Sequence, residues 1–82
     1  MRTIELSSEK KIVIEVREEI SVNLSSINLE KTEDNGQSVV ATIITEKGGK
    51  KIVLWDAESS PSYTEIGQYT DNDINNRLDQ LL

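Results

Sequence analysis

Apolar residues occupy both odd and even positions in two segments, rich in β-branched residues, in the middle of the chain. The first segment, residues 39–45, reads Val-Val-Ala-Thr-Ile-Ile-Thr, and the second, residues 52–55, reads Ile-Val-Leu-Trp. A strand with one buried face alternates between apolar and polar side chains, whereas these segments carry apolar side chains on both faces. They predict a hairpin in a sheet that must be covered on both sides.

The N-terminal half contains two runs that alternate cleanly and predict a second hairpin. One apolar row lies within residues 11–17 and the other within residues 20–24. A two-residue loop at Glu18-Glu19 would place Val16 opposite Ser21 and expose an apolar row, so we predict a three-residue loop. That loop pairs the rows on one face, with Val16, Ile14 and Ile12 opposite Ile20, Val22 and Leu24.

Two serine-containing stretches predict interruptions of these strands. Ser7-Ser8-Glu9 is typical of a turn after a short strand at residues 3–6. At Ser25-Ser26 the apolar residues change from even-numbered positions to odd-numbered ones, which a β-bulge or a change of sheet would produce. We therefore expect separate strands at residues 20–24 and 27–33.

Two glycine-containing corners predict a three-stranded meander. Asn35-Gly36 favours a type I′ turn because both residues tolerate positive φ, and Gly48-Gly49 favours a second tight turn. The predicted pairs are Leu29 with Thr42, Ile27 with Ile44, Ile44 with Val53, and Thr42 with Trp55. One face would then carry Ile27, Leu29, Val40, Thr42, Ile44, Val53 and Trp55, and the other Val39, Ala41, Ile43, Ile52 and Leu54.

Residues 71–81 predict a helix that begins after an N-cap at Thr70. Asp73 occupies the position from which an acidic side chain reaches back to the capping residue, and it also favours the positive end of the helix dipole. Tyr69 and Ile74 are spaced for a hydrophobic staple. The apolar stripe that we expect to pack on the sheet consists of Ile74, Leu78 and Leu81.

Together these elements predict one mainly β domain over residues 1–82, with a single C-terminal α-helix. We expect an antiparallel meander of five to six strands that forms a small sandwich or an open barrel, with the helix packed on one face. The predicted strands cover residues 3–6, 11–17, 20–24, 27–33, 37–46 and 51–56, followed by a loop at 57–69 and the helix at 71–81.

Composition and charge limit the partners of this domain. The 82 residues include no Phe, one Trp and two Tyr, so the core is aliphatic and small, and such a core often gains stability from oligomerisation. The net charge of −6 disfavours nucleic acid as a partner, although lysines are interleaved with the acidic residues. No apolar run approaches the roughly 18 residues of a membrane span, so we expect neither a signal peptide nor a membrane partner.

Catalytic and ligand-binding motifs are weak in this sequence. The chain has no His and no Cys, so common general bases, thiolates and disulfides are missing, and we predict a non-enzymatic protein without cofactor or metal. Residues 71–75 imitate the start of an EF-hand loop, but Asn76 replaces the turn glycine and Leu82 the bidentate glutamate. The Lys-Gly-Gly-Lys-Lys segment at 47–51 marks a hairpin tip, because a phosphate loop needs a strand before its glycines and a helix after them.

Residues of the C-terminal third follow an order found in one group of viral proteins. They are Leu54-Trp55, Tyr63, Ile66-Gly67-Gln68-Tyr69-Thr70-Asp71, Asp73-Ile74, Arg77-Leu78 and Leu81. This order resembles the ending of many small proteins encoded by tailed bacteriophages, which runs Leu-Trp, Tyr, Ile-Gly-Gln-aromatic-Thr-Asp and a short final helix. The resemblance covers about the last thirty residues and carries no catalytic chemistry. It implies a phage or prophage origin and a role in the virion or its assembly.

The sequence thus favours a structural or interaction protein of a phage particle, located in the virion or the host cytoplasm. Its partners would be other protein subunits, either copies of the chain or virion neighbours, on an apolar face that the helix leaves uncovered. One alternative is an acidic inhibitor that mimics nucleic acid and binds a basic cleft on a host protein. An enzyme with a carboxylate pair ranks last, since the 15 acidic residues are scattered over exposed positions. The candidate interaction residues are Val39, Ile43, Ile52, Leu54, Trp55, Tyr63 and Tyr69.

Overall fold

The computed structural model describes residues 1–15 and 19–82. Within them the chain forms one antiparallel sheet whose strands follow each other in sequence order, so the mainly β class with a C-terminal helix is confirmed. The sheet has four strands rather than the predicted five to six, and it is a single open sheet rather than the predicted small sandwich or open barrel. The elements are β1 (Arg2–Glu15), β2 (Glu19–Asp34), β3 (Val39–Thr45), β4 (Gly48–Trp55), α1 (Tyr63–Ile66) and α2 (Asp71–Leu81).

The two predicted serine breaks do not end strands, which accounts for the lower strand count. β1 and β2 continue through both positions, but their register shifts. Glu5 pairs with Ser26. The next registered pair, Lys10 with Leu24, leaves residues 6–9 of β1 across from a single residue of β2. This bulge lets the buried positions of β2 change from even numbers to odd ones without leaving the sheet.

The β1–β2 hairpin pairs two residues away from the predicted register. Ile14 lies opposite Ile20, and Ile12 lies opposite Val22. A shift of two residues keeps both apolar rows on one face, so Ile12 and Ile14 are still buried. The prediction for Val16 falls outside the described residues.

The turn after β2 is wider than predicted because polar side chains hydrogen-bond to its main chain. Residues 35–38 form this turn, and Gly36 has the expected positive φ of 84°. The Asn35 side chain accepts hydrogen bonds from the main-chain N–H groups of Gln37 and Ser38, at 2.8 Å each. These bonds stabilise a four-residue turn over the two-residue type I′ turn that the sequence suggested.

The turn between β3 and β4 uses residues 46–47 instead of the predicted Gly48-Gly49. Thr45 pairs with Gly48 and donates its hydroxyl to the Gly48 carbonyl at 2.8 Å. The two glycines are therefore the first residues of β4. A Cβ atom on Gly49 would lie only 3.3 Å from the Cδ1 atom of Ile44, so Gly49 makes room for that side chain across the ladder.

These turns overturn the predicted cross-strand pairs and the predicted division into faces. The observed pairs are Leu29 with Ile43, Asn28 with Ile44, Ile44 with Gly49, and Thr42 with Lys51. Trp55 lies opposite Val39 and shares its inner face, and a bulge at Leu54 lets both Leu54 and Trp55 be buried. The outer face carries Val53, which is 50% exposed.

The inner face of the curved sheet and one side of α2 enclose the hydrophobic core. All four strands contribute to it, and α2 contributes the first two residues of its predicted stripe. Removing these aliphatic side chains from water is the main favourable contribution to folding. The core consists of Ile4, Ile12, Ile14, Val22, Ile27, Leu29, Val39, Ala41, Ile43, Leu54, Trp55, Ile74 and Leu78.

Helix α2 spans the space between the two edge strands. Arg2 of β1 donates to the side-chain oxygen of Asn75 at 2.6 Å. The Nε atom of Arg77 donates to the carbonyl of Leu54, near the end of β4, at 2.8 Å. Because β1 and β4 lie at opposite edges of the sheet, one helix reaches both only if the sheet curls beneath it.

Both helices begin at a reciprocal N-cap. The Thr70 hydroxyl accepts from the Asp73 N–H at 3.2 Å, and the Asp73 carboxylate accepts from the Thr70 N–H at 2.8 Å, as predicted for α2. Helix α1 lies inside the predicted loop at 57–69, where Ser62 and Glu65 make the same pair of bonds. Both helices found in residues 1–15 and 19–82 fall short of the length and apolarity that crossing a membrane requires.

Candidate functional site

The seven candidate interaction residues divide into an interior group and a corner group. Val39, Ile43 and Leu54 are completely buried, and Ile52 is half-buried against the core. These four residues do not form the exposed row that the sequence suggested, because the curled sheet and α2 cover them within the chain. The burial of Val39, Ile43 and Leu54 stabilises the domain, and of these four residues only Ile52 keeps part of its surface exposed.

Trp55, Tyr63 and Tyr69 form the second group and lie together at one corner of the domain. The ring centroids of Trp55 and Tyr69 are 5.3 Å apart, with 35° between the ring planes, a distance at which aromatic pairs attract each other. The hydroxyls of Tyr63 and Tyr69 donate to the two carboxylate oxygens of Asp34, at 2.8 Å and 2.7 Å. We call these four residues the aromatic corner.

The connection between β4 and α2 folds back on itself and so brings both tyrosines to one carboxylate. The Asp56 carboxylate accepts from the main-chain N–H groups of Glu58 and Ser59, at 2.9 Å and 2.7 Å, which starts a turn directly after β4. The Tyr63 N–H then donates to the Asp56 carbonyl at 2.7 Å. Tyr63 is the first residue of α1, and Tyr69 follows three residues after the end of that helix. Both side chains reach Asp34 at the end of β2.

Hydrogen bonds to Asp34 and the burial of Tyr69 shift three pKa values at the aromatic corner away from neutrality. The N–H of Gly36 lowers the pKa of Asp34, and the hydroxyls of Tyr69 and Tyr63 lower it further. Burial raises the pKa of Tyr69 to about 12, and its bond to Asp34 acts in the same direction. The pKa of Tyr63 is raised chiefly by its hydrogen bond to Asp34. At neutral pH the corner is therefore a fixed contact between a carboxylate and two protonated phenols, unsuited to proton transfer.

A cleft of about 360 Å³ opens beside the aromatic corner, between the connection and α2. This volume lies within the range of small ligand sites. The wall formed by α2 uses one helix face, because its lining positions repeat at spacings of three and four residues. That wall consists of Asp73, Asn76, Arg77 and Gln80. The connection supplies Pro61, Ile66 and Gln68, and the aromatic corner supplies Trp55 and Tyr69.

Some polar side chains of the cleft are hydrogen-bonded to other groups of the chain, and others are not. Asp73 is occupied by the cap of α2, and Arg77 donates to the Leu54 carbonyl. The side-chain amides of Gln68 and Asn76 make no hydrogen bond to any part of the chain that the structure describes. An amide offers two donor hydrogens and an acceptor oxygen, so these two groups are available to a ligand.

The cleft offers the chemistry of binding: amide groups on a partly apolar and aromatic lining, which recognise a ligand by hydrogen bonds and contact area. Its one carboxylate and its one guanidinium are both bonded to groups of the chain itself. In residues 1–15 and 19–82 no group of three or more acidic side chains is arranged to hold a metal ion, and the sequence has no His or Cys.

The region that contains the cleft and the rest of the chain differ in net charge. Residues 52–82 contain six acidic side chains and one basic side chain, Arg77, so they carry −5 of the net charge of −6. The interleaving of lysines with acidic residues is confined to residues 1–51. Counting the charge separately for the two segments finds this asymmetry without any coordinates.

Sequence reasoning also missed Asp34, Asn76 and Arg77 as site residues. Asp34 gives no local signal, because its tyrosine partners lie 29 and 35 residues away along the chain. Asn76 and Arg77 lie between the apolar positions of α2, where polar residues are ordinarily assigned to solvent. A helical-face analysis that groups them with Asp73 and Gln80 would have placed them on one side of the helix.

Comparison of the chain with models of protein families, with curated proteins and with solved structures finds no match. No relative therefore supplies a ligand, a partner or a catalytic residue for these positions. The functional argument rests on the geometry and charge of the aromatic corner and the cleft.

Proposed function

We propose that this chain is a non-enzymatic interaction protein that binds another protein through the cleft beside the aromatic corner. The observation that carries the proposal is the pair of unbonded amides, Gln68 and Asn76, on a lining that includes Tyr69 and Trp55. Protein interfaces are enriched in aromatic residues and arginine, and their centres are depleted of charge. The lining of the cleft, with Arg77 beside two aromatic rings, has that composition.

The setting that we propose is a bacteriophage particle or its assembly, in the virion or the host cytoplasm. The residue order that resembles small phage proteins contributes much of the cleft, including Trp55, Ile66, Gln68, Tyr69 and Arg77. We infer that the partners are virion neighbours or copies of the chain.

A second candidate function is an acidic inhibitor that mimics nucleic acid. The observation that favours it is the net charge of −5 over residues 52–82. Such a mimic presents a protruding acidic strip to a basic cleft of its target, as electrostatic complementarity requires. Here the acidic residues do not form one strip: only Asp73 lines the cleft, and Asp79 is bonded to Ser7 of β1, so this candidate ranks second.

Native mass spectrometry of the chain, expressed together with the products of the genes that flank its own, tests the proposal. We expect a complex of defined stoichiometry that is lost in the Asn76→Lys variant, because a long charged side chain fills the cleft. The matched control is Asn72→Lys, which lies on the same helix outside the cleft and should keep the complex. A monodisperse monomer in every combination, for all variants, would contradict the proposal.

A further inference from the structure

We propose that Lys50 covers the open edge of β1 and so prevents a strand of a second copy of the chain from pairing with it. The inference concerns the edges of the sheet and does not depend on what the cleft binds. It is carried by the way in which charged side chains bond to main-chain groups of the two edge strands.

The open sheet has two edges, formed by β1 and β4. The main-chain N–H and C=O groups along such an edge are a template for a strand of another chain. In residues 1–15 and 19–82 no main-chain hydrogen bond joins β1 to β4, so the curled sheet does not close on itself by a ladder. Proteins protect open edges with a covering helix, a β-bulge or a charged side chain.

Helix α2 protects one end of each edge, in both cases at a β-bulge. Ser7 lies in the bulge of β1, and its N–H donates to the Asp79 carboxylate at 2.9 Å. The N–H and the hydroxyl of Ser7 hold the pKa of Asp79 below its ordinary value, so this carboxylate is ionised at neutral pH. Leu54 lies in the bulge of β4, and its carbonyl accepts from the Nε atom of Arg77 at 2.8 Å. At both bulges a charged side chain of α2 therefore takes a main-chain group of the edge strand.

At the other end of the two edges, the cover comes from Lys50 of β4. Lys50 lies opposite Ile43, whose side chain is completely buried, so Lys50 is on the inner face of the sheet. Its ammonium group crosses the gap between the edges and donates to the Val13 carbonyl of β1. Val13 pairs with Ser21 in the regular part of the β1–β2 ladder, and its carbonyl points away from that ladder. A further strand would use this carbonyl as an acceptor.

The charge of Lys50 opposes the addition of a strand. A strand that paired with Val13 would displace the ammonium group from its acceptor, in a gap that Ile14 also lines. Holding a charge away from water without a partner is costly, so this displacement is unfavourable. An apolar side chain at position 50 would pack on Ile14 as well, but it would leave the Val13 carbonyl free. Lys50 therefore protects the edge in addition to packing on it.

Three substitutions at two adjacent positions test this role. Lys50→Met keeps most of the aliphatic stem and removes the ammonium group, whereas Lys50→Arg keeps a charged donor. The matched control is Lys51→Met, which makes the same change of charge at an exposed position opposite Thr42. Analytical ultracentrifugation gives the dissociation constant of self-association. We expect this constant to be at least about tenfold lower in Lys50→Met than in the other two variants and the original chain, because a charge-assisted hydrogen bond no longer occupies the edge.

Amide hydrogen exchange locates the contact between the copies. In an antiparallel ladder the N–H and C=O of one residue point to the same side, so the Val13 N–H also points away from β2. We expect its exchange in Lys50→Met to slow as the protein concentration rises, because pairing with a second copy protects it. Lys50→Gln, which also lacks the charge, should behave in the same way. Thermal unfolding verifies that each variant is folded.

Equal self-association of Lys50→Met and Lys51→Met would overturn the inference. Association of Lys50→Met that leaves the exchange of Val13 unchanged would overturn it too, since the copies would then meet elsewhere. Adding Asn76→Lys, which fills the cleft, should leave the association intact. Loss of the association in that double variant would assign the contact to the cleft, so the proposed function would stand and this inference would fail.

Discussion

The sheet of residues 2–55 and the segment of residues 56–82 are held in place by different interactions. Main-chain hydrogen bonds join the four strands along their length. The C-terminal segment shares no such ladder with the described strands, and it attaches through the buried side chains of Ile74 and Leu78. Side-chain bonds supplement this packing, such as the bond from the Ser7 N–H to the Asp79 carboxylate at 2.9 Å.

The two regions also differ in net charge. The sheet region is almost neutral, whereas residues 52–82 carry a net charge of −5. The cleft lies in the charged region, between two elements whose positions depend on side chains. The strands therefore form the scaffold, and the register of the sheet does not depend on main-chain hydrogen bonds to the attached segment.

Removing the main anchor of α2 should have the largest effect on this arrangement. Leu78→Ala is expected to lower the free energy of unfolding by about 3 kcal/mol, because it leaves a cavity at a completely buried position. Leu81→Ala on the same helix, at a position that is 42% exposed, should change it by less than about 0.5 kcal/mol. Chemical denaturation measures both values, and equal losses would show that α2 is not anchored as described.

The same Val→Thr substitution should destabilise the domain much more on the inner face of the sheet than on the outer face. Val39→Thr introduces a hydroxyl at a completely buried position and should cost about 2 kcal/mol, the typical cost of an unpaired buried polar group. Val53→Thr makes the same change at a position that is 50% exposed and should cost less than about 0.5 kcal/mol. Urea midpoints of the two variants measure the difference, and a large loss for Val53→Thr would place that residue in a contact that the fold does not contain.

Loss of the helix cap should have a smaller effect, confined to the attached segment. Thr70→Ala removes the hydroxyl that accepts from the Asp73 N–H and should cost about 1 kcal/mol. Thr64→Ala, at an exposed position of α1, is the matched control and should change stability by less than about 0.5 kcal/mol. Amide hydrogen exchange should show faster opening of the first turn of α2 in Thr70→Ala alone.

The contact of Asp34 with the two tyrosines makes the association of the two regions depend on pH. The pKa of Asp34 is lowered in the folded state from its ordinary value of 3.8. The ionised Asp34 carboxylate therefore contributes its full stabilisation above pH 3.8, and this contribution is lost as the pH falls below that value. The pKa of Tyr69 is raised from 10 to about 12, so its effect is complete below pH 10 and is lost between pH 10 and about 12. Thermal unfolding across this range should show a plateau between the two losses.

Two variants separate the contributions to this pH dependence. Asp34→Asn should reduce the acid loss, and Tyr69→Phe should reduce the alkaline loss. A titration of phenolate absorbance in Asp34→Asn should show the pKa of Tyr63 returning most of the way to its ordinary value. The pKa of Tyr69 should return only in part, because burial is the larger cause of its shift. Equal changes for the two tyrosines would contradict this assignment.

The errors in the sequence interpretation concern contacts between distant residues. Gly48-Gly49 has the composition of a tight turn, but both glycines lie in β4, where Gly49 makes room for the Ile44 side chain of the opposite strand. At Ser25-Ser26 the β-bulge, one of the two predicted alternatives, is observed, but the prediction of separate strands is wrong because the extra residues of β1 take up the change from even to odd positions. In both cases the decisive partner lies on another strand, and local composition contains no information about it.

One error was avoidable from the sequence. Ser62 and Glu65 have the same spacing as Thr70 and Asp73, and both pairs form reciprocal caps. The first pair lies in the predicted loop at 57–69, and Ser59-Ser60-Pro61 before it is irregular. A capping pair therefore carries information even when the helix that follows has a single turn.

Local patterns in the sequence were enough to predict the mainly β class, the C-terminal helix, its cap and the first two positions of its apolar stripe, because each depends on residues a few positions apart. Tertiary structure decided the register of the turns, the inner face of the sheet and the meeting of Asp34 with Tyr69, 35 residues away. The cleft belongs with these features. Its walls are local in sequence, but they face each other only because the curled sheet lets α2 span both of its edges.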